Sequence, residues 1–332
     1  SRWWLRLESV MQGAGVAPAK PFHWWQWAQA LDEPKELIEP VRPQPRPPLA
    51  ARPDRFSVTE IETLIRDPYA VYARRVLRLP VLDPLDADIA AAERGIIVHE
   101  ALERFVKEYP KTIPHDALDR LLAIGREVFD SAIDRPGVAA FWWPRFQRIA
   151  QWFVEHEHEA REGLKHAYAE ARGEILITEG LARPIRLVGK ADRIDLRDDG
   201  TLDIIDYKTG TPPSIKQVQQ GLAPQLPLEA AMASRGGFTS GEDDSIPALP
   251  AGRLIYLRLT GGETAGERRE IKDEEGELAK EVYQSLIALL KQYEDEQTPY
   301  LSRPRVKFLS QYGDYDHLAR VKEWASAGGE GE

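Results

Sequence analysis

Through the first half of the chain apolar residues recur every three to four positions; further on they recur every second position. The first period predicts helices and the second predicts strands, because side chains return to one face at those intervals. Ser57-Val58-Thr59-Glu60 has the spacing of a capping box and opens a helix with Ile61, Leu64 and Ile65 on its buried face. Asp67-Pro68 restarts a helix through Val71, Tyr72 and Leu79. A longer helix follows from about 86 to 109, with Ile89, Ile96, Leu102, Phe105 and Val106 as its apolar face. Two more cover about 115–133 and 138–170, the second carrying Trp142, Phe146, Ile149 and Phe153 at helical spacing, a stripe that reads as core. Strands are predicted over about 172–179, 185–197 and 201–208, with Asp198-Asp199-Gly200 as the turn between the last two. A helix near 214–234, an apolar strand from Arg253 to Leu259 and a charged amphipathic helix over about 273–296 complete an α/β pattern with a large helical portion ahead of the sheet.

The flanks read differently. Residues 1–38 hold Trp3, Trp4, Trp24, Trp25 and Trp27, a density of aromatics that calls for burial, either in an upstream domain or on the main body. Residues 39–55 contain six prolines and read as a stiff, extended linker. The main domain is expected over 56–324, with the Gly-, Ser- and acid-rich stretch 234–252 as a mobile loop and 325–332 as a tail. The start at Ser1-Arg2-Trp3-Trp4, without Met, suggests a fragment of a longer protein.

The composition narrows the function classes. A net charge of −10 over 332 residues argues against a general polyanion-binding surface, so any nucleic acid needs a local basic channel. Arg74, Arg75 and Arg78, or Arg303, Arg305 and Lys307, are candidates for one; singly, each also reads as solvated surface charge. Cysteine is absent, which excludes disulfides and thiolate metal sites and fits a reducing, cytoplasmic compartment. No apolar run approaches the ~18 residues of a membrane span, and no signal peptide is visible.

Against this background one break in the strand pattern carries chemistry. Leu202 and Ile204 alternate as apolar residues, and the same face then continues with Asp206 and Lys208. The preceding strand, Gly189-Lys190-Ala191-Asp192-Arg193-Ile194-Asp195, puts Asp192 in line with Val188 and Ile194. An antiparallel hairpin brings Asp192 and Asp206 to neighbouring positions. Alone, an acid–x–lysine pair reads as a salt bridge at a sheet rim; two carboxylates beside a lysine also suit a hard divalent cation and an activated water.

These residues resemble the PD-(D/E)xK nuclease superfamily. The fuller strings, Gly189-x-x-Asp192-Arg193-Ile194-Asp195 and Asp206-Tyr207-Lys208-Thr209-Gly210, are similar to its RecB-like branch. Gly95-Ile96-Ile97-Val98-His99 matches that branch's G-x-x-x-H helix, and Gln225 the glutamine of its Q-x-x-x-Y helix. The stretch from about Phe56 to Tyr312 looks most like the nuclease domain of AddB-type subunits of helicase–nucleases that process double-strand breaks.

The resemblance implies a restriction-endonuclease-like core, a small mixed central sheet flanked by helices, and metal-dependent DNA hydrolysis. It implies Mg²⁺ or Mn²⁺ on His99, Asp192 and Asp206, with Lys208 positioning or deprotonating the attacking water and Gln225 supporting the site. On its own pattern His99, one turn from Ile96 and Leu102, reads as a core histidine; the resemblance makes it a ligand, with Gly95 allowing close packing. The Tyr207 carbonyl, between two ligands on a strand, is a further ligand candidate. A glutamate is expected on or before the first strand: Glu170 is favoured, Glu174 is close behind and Glu179 is weaker.

Glu229 stands where the motif tyrosine is expected, so that half of the motif is missing. Asp67 stands where many AddB-type domains carry the first of their cluster cysteines, so no iron–sulfur cluster can form through thiolates. Packing of the early helices on the segment near Pro304–Gly313 is expected to take over. The implied partners are single-stranded DNA ends and an AddA-like helicase–nuclease subunit. Two alternatives stay open: a non-catalytic scaffold or DNA-binding module, and a stand-alone exonuclease of the Cas4 or phage type.

Overall fold

The structure, a computed structural model, describes residues 1–17, 23–33, 36, 40–82, 89–132, 136–241, 244–304 and 313–327. The chain divides into two compact units, 1–41 with 323–332, and 42–322. The smaller unit contains helices α1 (Arg2–Gly13) and α2 (Trp24–Asp32), neither of which buries a residue. Trp3, Trp4, Trp24, Trp25 and Trp27 are all exposed. Trp24 and Trp27 meet edge to face, with centroids 5.3 Å apart.

In the larger unit the proline-rich segment is extended, yet it is packed rather than a free spacer. Buried Arg52 is the anchor: its guanidinium donates to the carbonyls of Pro47 (2.9 Å), Tyr293 (2.9 Å), Asp295 (3.0 Å) and Glu296 (2.9 Å). A charged side chain satisfied by four carbonyls can be buried where an unpaired one could not.

Next come β1 (Arg55–Ser57) and α3 (Val58–Arg66), capped as expected: Ser57 Oγ accepts from Glu60 N at 3.0 Å, and Glu60 Oε2 from Ser57 N at 2.9 Å. The helices α4 (Pro68–Val71), α5 (Ile89–Glu108), α6 (Ala117–Ala132) and α7 (Pro136–Ala160) follow. The predicted start of α5 at 86–88 lies outside the described residues. The long helix predicted to 170 stops at Ala160, and β2 (Leu164–Ile177) starts well before 172. Gly163, at φ +67, supplies the left-handed turn between them.

Strands β3 (Ile185–Arg197) and β4 (Leu202–Lys208) form the predicted hairpin. The single helix expected over 214–234 is two, α8 (Ile215–Gln219) and α9 (Gln225–Ala233), separated at Gly221 with φ +68. Then come β5 (Phe238–Ser240), β6 (Asp244–Ser245), β7 (Ala251–Leu259), β8 (Gly266–Lys272) and α10 (Glu277–Gln292).

The strands make one mixed sheet in the order β6-β5-β2-β3-β4-β7-β8, with β1 parallel to β3. The β3/β4 pair is antiparallel and the β4/β7 pair parallel. Alternation along the chain does not reveal β1, β5, β6 or β8, which are short or polar and pair at the periphery. Helices cover both faces. Ile205, Tyr207, Ile255 and Leu257 pack beneath α5, α6 and α7; Leu202, Ile204, Leu254 and Tyr256 pack beneath α3, α9 and α10. Strand β4 is thus buried on both faces, and a charged side chain there meets protein rather than water.

Candidate metal centre

Backbone pairing of β3 with β4 runs from Leu196–Leu202 to Arg193–Ile205 and ends there. The next residues out are Asp192 and Asp206, where the strands part. The Asp192 side chain closes the gap: its Oδ2 accepts the Tyr207 N–H at 2.8 Å. On the other edge of β3, Ala169 pairs with Arg193 and Ala171 with Ala191, which sets Glu170 opposite Asp192.

Glu170 has φ +55, a conformation that costs a non-glycine residue about 1–3 kcal/mol and persists only where the surroundings enforce it. Alternation of the two strands breaks at this point. Tyr168 and Ala171 both belong to the core under α9, whereas Ala167 and Ala169 belong to the core under α5. Across from them, Ala191 and Ile194 share one face although they are three apart. The simple alignment of Asp192 with Val188 and Ile194 is therefore corrected: a break in register of faces separates them.

The break brings Glu170 and Asp192 to His99 on α5. His99 Nδ1 lies 3.4 Å from Asp192 Oδ1, and its ring meets Tyr207 edge-on at 5.8 Å. One ligand atom each from His99, Glu170 and Asp192 lie within 4.8 Å of one another, a grouping among the described residues that could hold a metal ion. They open onto a cleft also lined by Ile96, Glu100, Arg104 and Lys190. Ile96, predicted for the buried face of α5, is 65% exposed at this cleft. A Cβ on Gly95 would meet Thr209 Oγ1 at 3.5 Å, an ordinary contact, so close packing does not require a glycine there.

Asp206 and Lys208, at the end of β4, form a second group with Gln225 beside this cluster. Asp206 Oδ1 accepts from Lys208 Nζ at 2.9 Å and from Gln225 Nε2 at 2.8 Å. Gln225 Oε1 accepts from Lys208 Nζ at 3.3 Å, so the amide bridges the acid and the lysine. Asp206 Oδ2 is buried and has no hydrogen-bond partner among the described residues. Burial raises the Asp206 pKa, Lys208 opposes, and the Asp192 carboxylate adds to the rise, leaving it at about 6. For Lys208 burial favours the neutral amine, but the attraction of Asp206 outweighs it and the pKa lies above the ordinary lysine value. Burial likewise pulls His99 down, and its hydrogen bond and charge attraction to Asp192 carry the net shift upward.

Glu174 is half-exposed and pairs with Arg186 at 3.2 Å; Glu179 accepts from the Tyr283 hydroxyl at 3.3 Å. Neither reaches the cluster. Sequence reasoning passed over Glu229 as a member of this neighbourhood. It is 1% exposed, accepts from Gln225 Nε2 at 3.3 Å, and is pushed well above the carboxylate range by burial and by Asp206 and Asp192. The signal was an acid inside the apolar run Leu226-Pro227-Leu228-Glu229-Ala230-Ala231.

The arginines suggested for a basic channel are largely engaged. Arg74 pairs with Asp314 at 3.4 Å, Arg75 with Glu60 at 3.5 Å, and Arg303 with Asp316 at 3.6 Å. Arg305 and Lys307 lie outside the described residues. Asp67 is buried and accepts the Arg303 N–H at 3.1 Å, so it ties α4 to the segment after Leu301 by a hydrogen bond.

A family model described as the PD-(D/E)XK nuclease superfamily matches residues 55–305. The chain belongs to that superfamily, and its mixed sheet between two helical layers is the restriction-endonuclease-like fold. An uncharacterized protein of Rickettsia bellii is 30% identical over 274 residues, covering 80% of this chain and 32% of that protein. One of Rickettsia conorii is 34% identical over 210 residues, covering 62% of this chain and 25% of that protein. An ATP-dependent helicase/deoxyribonuclease subunit of Moorella thermoacetica is 28% identical over 259 residues, covering 67% of this chain and 21% of that protein. The chain thus spans about a third or less of each relative's length.

Nucleases of this superfamily typically use Mg²⁺ or Mn²⁺. The residues present fit such an ion: the donors are carboxylate oxygens and one imidazole, and a buried carboxylate oxygen of Asp206 lacks a hydrogen-bond partner among the described residues. Among the described residues no helix is long and apolar enough to cross a membrane.

Proposed function

We propose that this chain is a metal-dependent deoxyribonuclease domain that hydrolyses phosphodiester bonds of single strands delivered by a partner helicase during double-strand break processing. The observation that carries the reading is the convergence of His99, Glu170 and Asp192 within 4.8 Å, next to an Asp206–Lys208–Gln225 triad. The likeness to a helicase/deoxyribonuclease subunit supports the helicase-linked role, with an AddA-like subunit as partner and the DNA of the bacterial cytoplasm as substrate.

His99, Glu170, Asp192 and Asp206 would hold the cation, with the Tyr207 carbonyl as a further ligand. When bound, the cation supplies Lewis-acid stabilisation of the phosphate and a more acidic water. Lys208, paired with Asp206 at 2.9 Å, would position or deprotonate the attacking water and offset phosphate charge. Gln225 fixes both partners: its amide donates to Asp206 and accepts from Lys208, which sets their spacing. Among the described residues no element is a recognisable base-reading motif, which fits action on any sequence.

The test is Mn²⁺- or Mg²⁺-dependent digestion of end-labelled single-stranded DNA. The wild type is expected to cleave about 10²–10³-fold faster than Asp206→Ala at matched purity. Equal rates would mean that the domain is a scaffold.

A further inference from the structure

Lys190 lies two residues before Asp192 on β3 and takes no part in the proposed chemistry. Its ammonium forms an ion pair with Oε2 of Glu170, a side chain that is largely buried while the lysine itself is 59% exposed. Lys190 is the partner of that oxygen, and no other described residue donates to it. Lys190 also stands at a boundary. It lines the cleft that holds His99, Glu170 and Asp192, and it lines the groove on the far side, with Arg55, Arg172 and Gln225.

We propose that Lys190 is a stand-in cation: it neutralises Glu170 until a divalent ion takes that place, and once released it binds phosphate oxygens of the strand. The inference rests on the nuclease reading of the site. Two carboxylates, Glu170 and Asp192, face each other across adjacent strands, and leaving such charges uncompensated is costly. A divalent ion on Glu170 removes the charge that held Lys190. A lysine on a flexible, solvated stem can then leave without disturbing the fold. Its position between the two clefts is where a strand crossing the site would carry its phosphates.

Two effects of opposite sign follow from one residue. Lys190 weakens metal binding, because the ion must displace it, and strengthens strand binding once the ion is in place. A lysine that merely holds the sheet together would lower both or neither.

The experiment is a Mn²⁺ titration by calorimetry on the whole chain, wild type against Lys190→Met, with steady-state cleavage of a single-stranded oligonucleotide alongside. Lys190→Met is expected to bind Mn²⁺ about 2- to 5-fold more tightly, the range of a partly exposed ion pair. Its KM for the strand is expected to rise about 2- to 5-fold, with kcat changed less. Lys190→Arg, which keeps the charge, should restore KM. Unchanged or weaker Mn²⁺ binding by Lys190→Met, with the wild type binding normally, overturns the inference and leaves the nuclease reading standing. A wild type that binds no Mn²⁺ overturns that reading and this inference with it.

Discussion

Adjacent residues of β3 feed two charged clusters that solve the same problem in opposite ways. Arg193 is fully buried and closed on itself: it donates to Asp195 Oδ1 at 2.6 Å, Asp195 Oδ2 at 2.8 Å and Glu157 Oε1 at 2.7 Å. Glu157 takes a further bond from Arg161 at 2.6 Å. Burial pushes the Glu157 pKa up, but its two arginines outweigh that and keep it ionised. Asp192, one residue earlier, lies with Glu170 and His99, and Asp206 keeps one buried oxygen without a hydrogen-bond partner among the described residues. Both clusters are buried acids beside cations. What separates the two is the state of the carboxylates: every oxygen of Glu157 and Asp195 accepts from an arginine, whereas one oxygen of Asp206 accepts from none of the described residues.

Three experiments press on that contrast. Arg193→Met should cost the most stability, about 3–5 kcal/mol, because Glu157 and Asp195 are left buried without their partner. A denaturation midpoint reads the loss; if the midpoint hardly moves, the closed network is not a structural element. A smaller effect is expected at the open cluster. Glu170→Gln should lower Mn²⁺ affinity about 10- to 100-fold, whereas Glu174→Gln, paired with Arg186 in solvent, should leave it unchanged. Equal effects from the two would dissolve the distinction drawn between these neighbours.

The third contrast is a pH dependence without metal. Asp206 titrates at about 6 in the folded chain against an ordinary value of 3.8. Between those values the folded state keeps a proton that the unfolded state has lost, so its contribution to stability falls as pH rises and is level above about 6. Asp206→Asn lacks this titration. Its thermal midpoint, relative to wild type, should rise over that window and then stay constant.

Much of this molecule is legible along the chain. The capping box at Ser57–Glu60, the β3/β4 hairpin and the Asp206-x-Lys208 break depend on neighbours a few residues apart, and short-range spacing carries that information. The end of α7 is overrun in the sequence reading because its apolar stripe is followed by strong helix formers, Glu157, Glu159, Ala160, Arg161 and Glu162, with Gly163 as the stop. The proline-rich segment reads as a spacer in the sequence, because its anchor sits some 240 residues away at Tyr293–Glu296.

Periodicity and motif spacing are local properties, and they specify the fold class, the residue types of the site and their order. Which acids meet depends on the packing of distant segments. Glu170 rather than Glu174 faces Asp192 because a left-handed residue and a break in face alternation turn it toward His99. Glu229 joins the neighbourhood because α9 is buried against β4 on all sides. Which charges share one low-dielectric space depends on how distant segments pack, and no local pattern records that.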